Sequence, residues 1–223
     1  MSLPIAVRLS SLSCWRLRVS LALVGLLVGL DFSGAAHQRV AAGEFNRVLS
    51  IGDAAPNWES LPSVAGKEVD SQQFADSAVT VVAFTCNTCP YAVDVQPRLV
   101  ALDEWLRQRG GRLVAINVNK VKGDSLDDMR ERAESAGFTF PYLWDASQEL
   151  AKQFGATTTP EFFVLSRDWK VAYMGALDDS PDGKQVKTQH VRQAVEAVLA
   201  GKSVELAETV PIGCRIRFER KRR

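Results

Sequence analysis

An excess of charge of either sign is missing from this chain. Its 223 residues carry 27 Lys and Arg against 26 Asp and Glu, a formal net charge of +1. A broad nucleic-acid-binding surface needs a basic excess and is not expected. Histidine is scarce, with only His37 and His190. Cysteine is scarce too, with Cys14, Cys86, Cys89 and Cys214. A structural zinc site wants a second C-x-x-C pair or nearby histidines, so no metal and no other cofactor is expected. The apolar stretch Val19–Leu30 holds ~12 residues, short of the ~20 that a spanning helix needs. Internal repeats and low-complexity segments are absent. What remains is an ordinary globular composition, 46% hydrophobic, which is not that of a disordered chain.

The first residues read as an export signal. Arg8, Arg16 and Arg18 precede the apolar stretch, and the small residues Ser33-Gly34-Ala35-Ala36 follow it. A basic region, a short apolar region and small residues at a cleavage site form such a signal over 1–36. An uncleaved signal anchor is the alternative, and it would attach the protein to a membrane. Removal of the signal takes Cys14 with it. About 190 residues then remain, enough for one domain with its own core. That domain would work in an exported, periplasmic or extracellular setting, where disulfides persist. The three remaining cysteines make one pair plus one leftover thiol.

Residues 37–49 read as a linker, the domain spans 50–213, and 214–223 form a basic C-terminal tail. Leu61 to Val69 reads as a short hairpin around Ala65-Gly66. Ala78 to Phe84 is short and rich in β-branched residues, as in a buried strand. The spacing of Val95, Leu99, Leu102 and Leu106 predicts a helix over 90–109, kinked at Pro97. Residues 112–118 form a second buried strand. Asp124 is placed to cap a helix over 125–136. An extended piece follows at 140–144, then a helix capped by Ser147 and ending at Phe154. Strands 161–165 and 170–174 make a hairpin, and 190–199 is the last helix. Strands alternating with helices, then a hairpin and a helix, predict an α/β fold around a central mixed sheet.

Cys86-Asn87-Thr88-Cys89-Pro90 stands where the strand ends and the helix begins. A helix N-terminus carries partial positive charge and free N–H groups, which favour a thiolate. A static disulfide across so short a loop would be a poor staple, because stabilisation grows with loop length. Redox chemistry is the stronger reading. Cys86, expected to be the more exposed thiol, would attack a substrate disulfide, and Cys89 would resolve the mixed disulfide. No acidic residue lies in 78–84 to accept a proton beneath the pair.

Thr159-Pro160 is the second candidate site. It is either a trans proline that starts an edge strand or a cis proline that exposes backbone to a substrate strand. Cys214 is either a small apolar residue in a terminal strand or a third redox thiol. His37 reads as inert and His190 as a residue at a helix start. Asp178-Asp179 reads as turn chemistry.

These motifs resemble the thioredoxin-like superfamily, in its redoxin branch, which holds the alkyl hydroperoxide reductases and thiol-specific antioxidant proteins. Gly52-x-x-Ala55-Pro56, Leu61-Pro62 and Gly66-Lys67 are similar to a redoxin opening. Cys86-Asn-x-Cys-Pro-Tyr91, Pro160-x-Phe162-Phe163, Leu177-Asp178-Asp179-Ser180 and Pro211-Ile-Gly-Cys214-x-Ile216 resemble a peroxiredoxin-like secreted family. The resemblance implies a thioredoxin-like fold with an N-terminal hairpin, and Pro160 cis and facing the dithiol. One departure bears on activity. The peroxiredoxin Pro-x-x-x-Thr-x-x-Cys motif has Ala83 or Cys86 where its threonine belongs. A second departure is the threonine run before Pro160, where a further cysteine is frequent in that group. The expected activity is thiol–disulfide exchange, with thiol peroxidase or an inert-disulfide binding domain as alternatives. Expected partners are protein or small-molecule disulfide and thiol substrates, and a recycling reductant or oxidant.

Overall fold

A computed structural model describes residues 43–219. The expected export signal, Cys14, His37 and the last four residues of the basic tail lie outside them.

The elements follow in chain order. A hairpin of β1 (Leu61–Pro62) and β2 (Glu68–Val69) pairs antiparallel. It leads through a single 3-10 turn, Ser71–Phe74, to β3 (Val79–Thr85). Helices α1 (Pro90–Asp94) and α2 (Gln96–Arg107) precede β4 (Gly111–Asn117). Helix α3 (Leu126–Ser135), β5 (Tyr142–Trp144) and α4 (Glu149–Phe154) come next. The short β6 (Thr158–Thr159) is followed by β7 (Glu161–Ser166) and β8 (Val171–Gly175). Helix α5 (His190–Leu199) and β9 (Cys214–Arg215) close the chain.

The central sheet has the order β5-β4-β3-β7-β8. β3 runs parallel to β4 and antiparallel to β7, so the sheet is mixed. Every residue of β3 is buried, which explains its unbroken apolar run: both faces of the sheet are covered. Val82 and Phe84 point into one core with Phe154 of α4 and Phe163. Val79, Val81 and Ala83 point into the other, with Leu99, Leu102 and Leu106 of α2 and Val191, Ala194 and Val195 of α5.

Several local readings change. The helix expected over 90–109 is two helices, joined at Val95, which ends α1 and starts α2. Pro97 lies in the first turn of α2, where its missing N–H costs nothing. Ser125, not Asp124, caps α3. It accepts from the Asp128 N–H, and the Asp128 carboxylate accepts from the Ser125 N–H, a capping box. Helix α4 starts one residue later than Ser147 would set it. Gln148 holds the cap position with φ 61°, and the Asp145 carboxylate accepts from the N–H groups of Ser147, Gln148 and Leu150. Gly155 ends this helix at φ 69°, where a Cβ would come within 2.2 Å of Asn46 Oδ1.

The ends of the domain extend further than 50–213. In the expected linker, Leu49 is buried and Asn46 donates to the Phe154 carbonyl at 2.7 Å. In the expected tail, Ile216 is buried and its N–H donates to the Thr157 carbonyl at 2.9 Å. Up to Glu219 the tail is part of the packed domain, and its strand β9 pairs with β6.

Candidate active site

Cys86 directly follows β3, and Cys89 is the N-cap residue of α1. β3 ends there because Pro90 opens the helix, and the two thiols fall on the turn between them. Cys86 is 0% exposed and Cys89 3% exposed. The expectation that Cys86 is the more open thiol does not hold, because the chain itself covers both. The sulfurs are unpaired.

Thr159 reaches both of them. Its hydroxyl lies 3.2 Å from Cys86 Sγ, and its carbonyl accepts from Cys89 Sγ at 3.0 Å. The Thr159-Pro160 peptide is cis, as expected for one of the two isomers, but both residues are buried and β9 already pairs with the strand before the proline. Pro160 lines a shallow depression with Tyr91 and Ile212, two apolar side chains exposed beside the pair.

β6 and β9 pair antiparallel, with Cys214 opposite Thr159 and Arg215 opposite Thr158. Cys214 thereby packs against Cys86, Cys89 and Ala92. It is half-buried, the least covered of the three thiols. The sequence places these residues about 70 and 125 positions apart from the pair, and the fold collects them in one cluster.

A buried carboxylate stands close by. Asp124 accepts from the Asn87 N–H at 2.6 Å, the Thr88 hydroxyl at 2.6 Å and Asn117 Nδ2 at 3.0 Å. Asn87 in turn donates to the Gly123 carbonyl and accepts from the Tyr142 hydroxyl. The loop before α3 is thus clamped onto the two residues between the cysteines. From the sequence no acid is expected beneath the pair, because none lies in 78–84, and Asp124 reads as a cap. The adjacent Ser125, which caps α3 equally well and leaves Asp124 free for another role, is the available signal. Glu161 was also missed. It is buried and accepts from the N–H groups of Thr157 and Thr158, fixing the turn before Pro160. Burial raises its pKa against these bonds.

The electrostatics are those of a shared proton. A hydrogen bond from Cys86 lowers Cys89 to about 5; burial opposes this, and the Cys214 thiol and Ala92 N–H assist it. Cys86 is raised, first by the same bond to Cys89, then by burial, with the charge of Asp124 adding and the Thr159 hydroxyl opposing. The Thr159 carbonyl favours the opposite arrangement, because it can accept only from a protonated Cys89. With the proton on Cys89, Cys86 is the thiolate and the Thr159 hydroxyl turns toward it. The site can therefore hold one negative charge on either sulfur.

Asp178-Asp179 behaves as turn chemistry. Asp178 pairs with Arg98 and accepts from the Ser180 N–H, and Asp179 accepts from the N–H groups of Lys187 and Thr188. His190 opens α5. Among the described residues no group of three or more His, Cys, Asp or Glu side chains could hold a metal ion.

Comparison with known proteins is consistent with this geometry. A hypothetical protein of Sinorhizobium meliloti is 35% identical, with a TM-score of 0.73, over 78% of this chain and 97% of the other. An uncharacterized conserved protein of Geobacillus kaustophilus is 37% identical, also with a TM-score of 0.73, over 78% and 95%. A thiol:disulfide interchange protein of the thioredoxin family from Chlorobium tepidum is 23% identical at a TM-score of 0.54, over 68% and 99%, a likeness of fold. No curated protein matches the chain. The AhpC/TSA family model matches residues 51–174, more than half of the sequence, and the chain belongs to that family of thioredoxin-like redoxins.

Proposed function

We propose that this protein is a thiol–disulfide oxidoreductase that acts through Cys86 and Cys89. The observation that carries the reading is Thr159, which contacts both sulfurs from the residue before a cis proline. In the arrangement with the proton on Cys89, Cys86 attacks one sulfur of a substrate disulfide and the other substrate sulfur leaves as a thiolate. Cys89 then gives up its proton and attacks Cys86 Sγ, the mixed disulfide breaks, and the substrate leaves reduced. The product is a Cys86–Cys89 disulfide, which a recycling thiol reduces; run backward, the same steps oxidise a substrate dithiol. Tyr91 and Ile212 offer an apolar rim to a polypeptide substrate. The arginines, apolar stretch and small residues of 1–36 support work outside the cytosol.

Exchange on a disulfide-bonded model protein tests this. Wild type should turn over, Cys86→Ser should not, and Cys89→Ser should stop at one mixed disulfide per chain. Turnover that survives Cys86→Ser would overturn the reading. The family match supports a second reading, thiol peroxidase, although Cys86 stands where the peroxide motif has its threonine. Peroxide consumption with a sulfenic acid trapped on one cysteine would favour it.

A further inference from the structure

The dithiol is buried, yet exchange requires contact with a partner. The terminal strand is the element that covers it. The segment that contains β9 is held from Gly213 to Glu219. The Gly213 backbone lies so close to the Thr159-Pro160 peptide that a Cβ there would come within 2.2 Å of the Thr159 carbonyl oxygen. Beyond Cys214, Ile216 donates to Thr157, and Gln148 bonds the Arg217 carbonyl and the Glu219 N–H at 3.1 and 2.8 Å. Lys120 pairs with Glu219 at 2.8 Å. The segment therefore occupies the edge of the strand that precedes the cis proline, where an extended substrate would add by main-chain pairing. It presents a thiol to the pair at that edge.

We propose that Cys214 is a third redox thiol that exchanges with Cys89, so that the oxidised protein holds its disulfide at Cys86–Cys89 or at Cys89–Cys214. This deepens the oxidoreductase reading and rests on it. In the step, the Cys214 thiol loses its proton and its sulfur attacks Cys89 Sγ. The Cys86–Cys89 bond breaks, Cys86 leaves as a thiolate and takes up a proton. One disulfide is lost and one formed, with no net gain or loss of electrons. The oxidising equivalent enters from the substrate disulfide of the preceding exchange.

The consequence is positional. The disulfide moves from two buried sulfurs to one whose outer partner is half-buried, where a thiol reductant can reach it. The charge pattern fits the direction of flow. Burial, then the hydrogen bond and charge of Cys89, hold Cys214 up at about 11 in the reduced chain. Oxidation of Cys89 to a disulfide removes the second and third of these causes, so Cys214 ionises more readily when its target has formed.

The test is disulfide mapping of the full chain after treatment with glutathione disulfide, acid quench and alkylation. Tryptic cleavage leaves Cys86 and Cys89 on residues 68–98 and Cys214 on residues 203–215. Oxidised wild type should yield these two peptides cross-linked, with Cys86 alkylated, alongside the internal Cys86–Cys89 form. In Cys86→Ser the cross-link should become the only disulfide, within a monomer. In Cys214→Ala it should vanish while Cys86–Cys89 still forms. A wild type that forms Cys86–Cys89 without any cross-link, with Cys86→Ser carrying only glutathione on Cys89, would overturn the proposal and leave the oxidoreductase reading standing. Absence of both disulfides from wild type would remove both.

Discussion

Thr159 touches the two sulfurs through different atoms, hydroxyl to Cys86 and carbonyl to Cys89. That division is what lets one proton settle on either side. With Cys89 lowered to about 5 by Cys86, the reduced protein should show thiolate ultraviolet absorbance that rises through about pH 5. The Cys89→Ser variant should lose that rise, and absorbance appearing only near the ordinary thiol value of 9.0 would contradict the shared-proton picture. The stability sign follows from the direction of the shift. A lowered group stabilises the reduced fold fully above 9.0 and loses that contribution as pH falls through about 5. Cys86 is shifted the other way, so its contribution is complete below 9.0 and declines at alkaline pH. Cys86, Cys89, Thr159 and Pro160 were all legible in the sequence because spacing and a turn define them. Asp124 was not. A buried carboxylate is defined by the three donors that meet it, and these come from the turn after β3 and from the end of β4.

At the scale of elements, the informative one is β9, two residues long and placed by the sequence in a basic tail outside the domain. Pairing with β6 and burial of Ile216 make it part of the domain instead. Arg215 and Arg217 are exposed while Ile216 between them turns inward, the alternation of a half-buried strand. Gly213→Ala tests how closely the strand is held. A methyl group there cannot coexist with the Thr159 carbonyl at the present separation, so β9 should lift from β6. Alkylation of Cys86 and Cys89 in the reduced protein should then become faster than in wild type at the same pH. An unchanged rate would show that the strand does not shield the pair. The break at Val95 is an element-scale feature as well. Pro97 marked the position, and the difference between a kink and two helices lay in the first turn that Pro97 can open.

At the scale of the whole molecule, the site depends on a sheet with a core on each face. Phe84, two residues before Cys86, makes edge contacts with Phe154 at 5.2 Å and Phe163 at 5.8 Å. Phe84→Ala should cost about 3–5 kcal/mol, through lost transfer energy and the cavity left behind. Urea denaturation would measure it as a lowered midpoint with an unchanged slope. A loss below about 1 kcal/mol would contradict the full burial of this ring, because the transfer energy alone is about 1.5–3 kcal/mol even where the core collapses around the gap.

The sequence by itself determined the order of elements, the redoxin resemblance and the dithiol at the end of β3, because periodicity, β-branched runs and turn residues act over a few neighbouring positions. The tertiary structure decided what surrounds the dithiol. It brought Thr159 against both sulfurs, set Asp124 behind the residues between them, and laid Cys214 over the pair. Those contacts join segments far apart in the chain, and their energies come from shared protons, buried acceptors and strand pairing, which exist only once the segments meet.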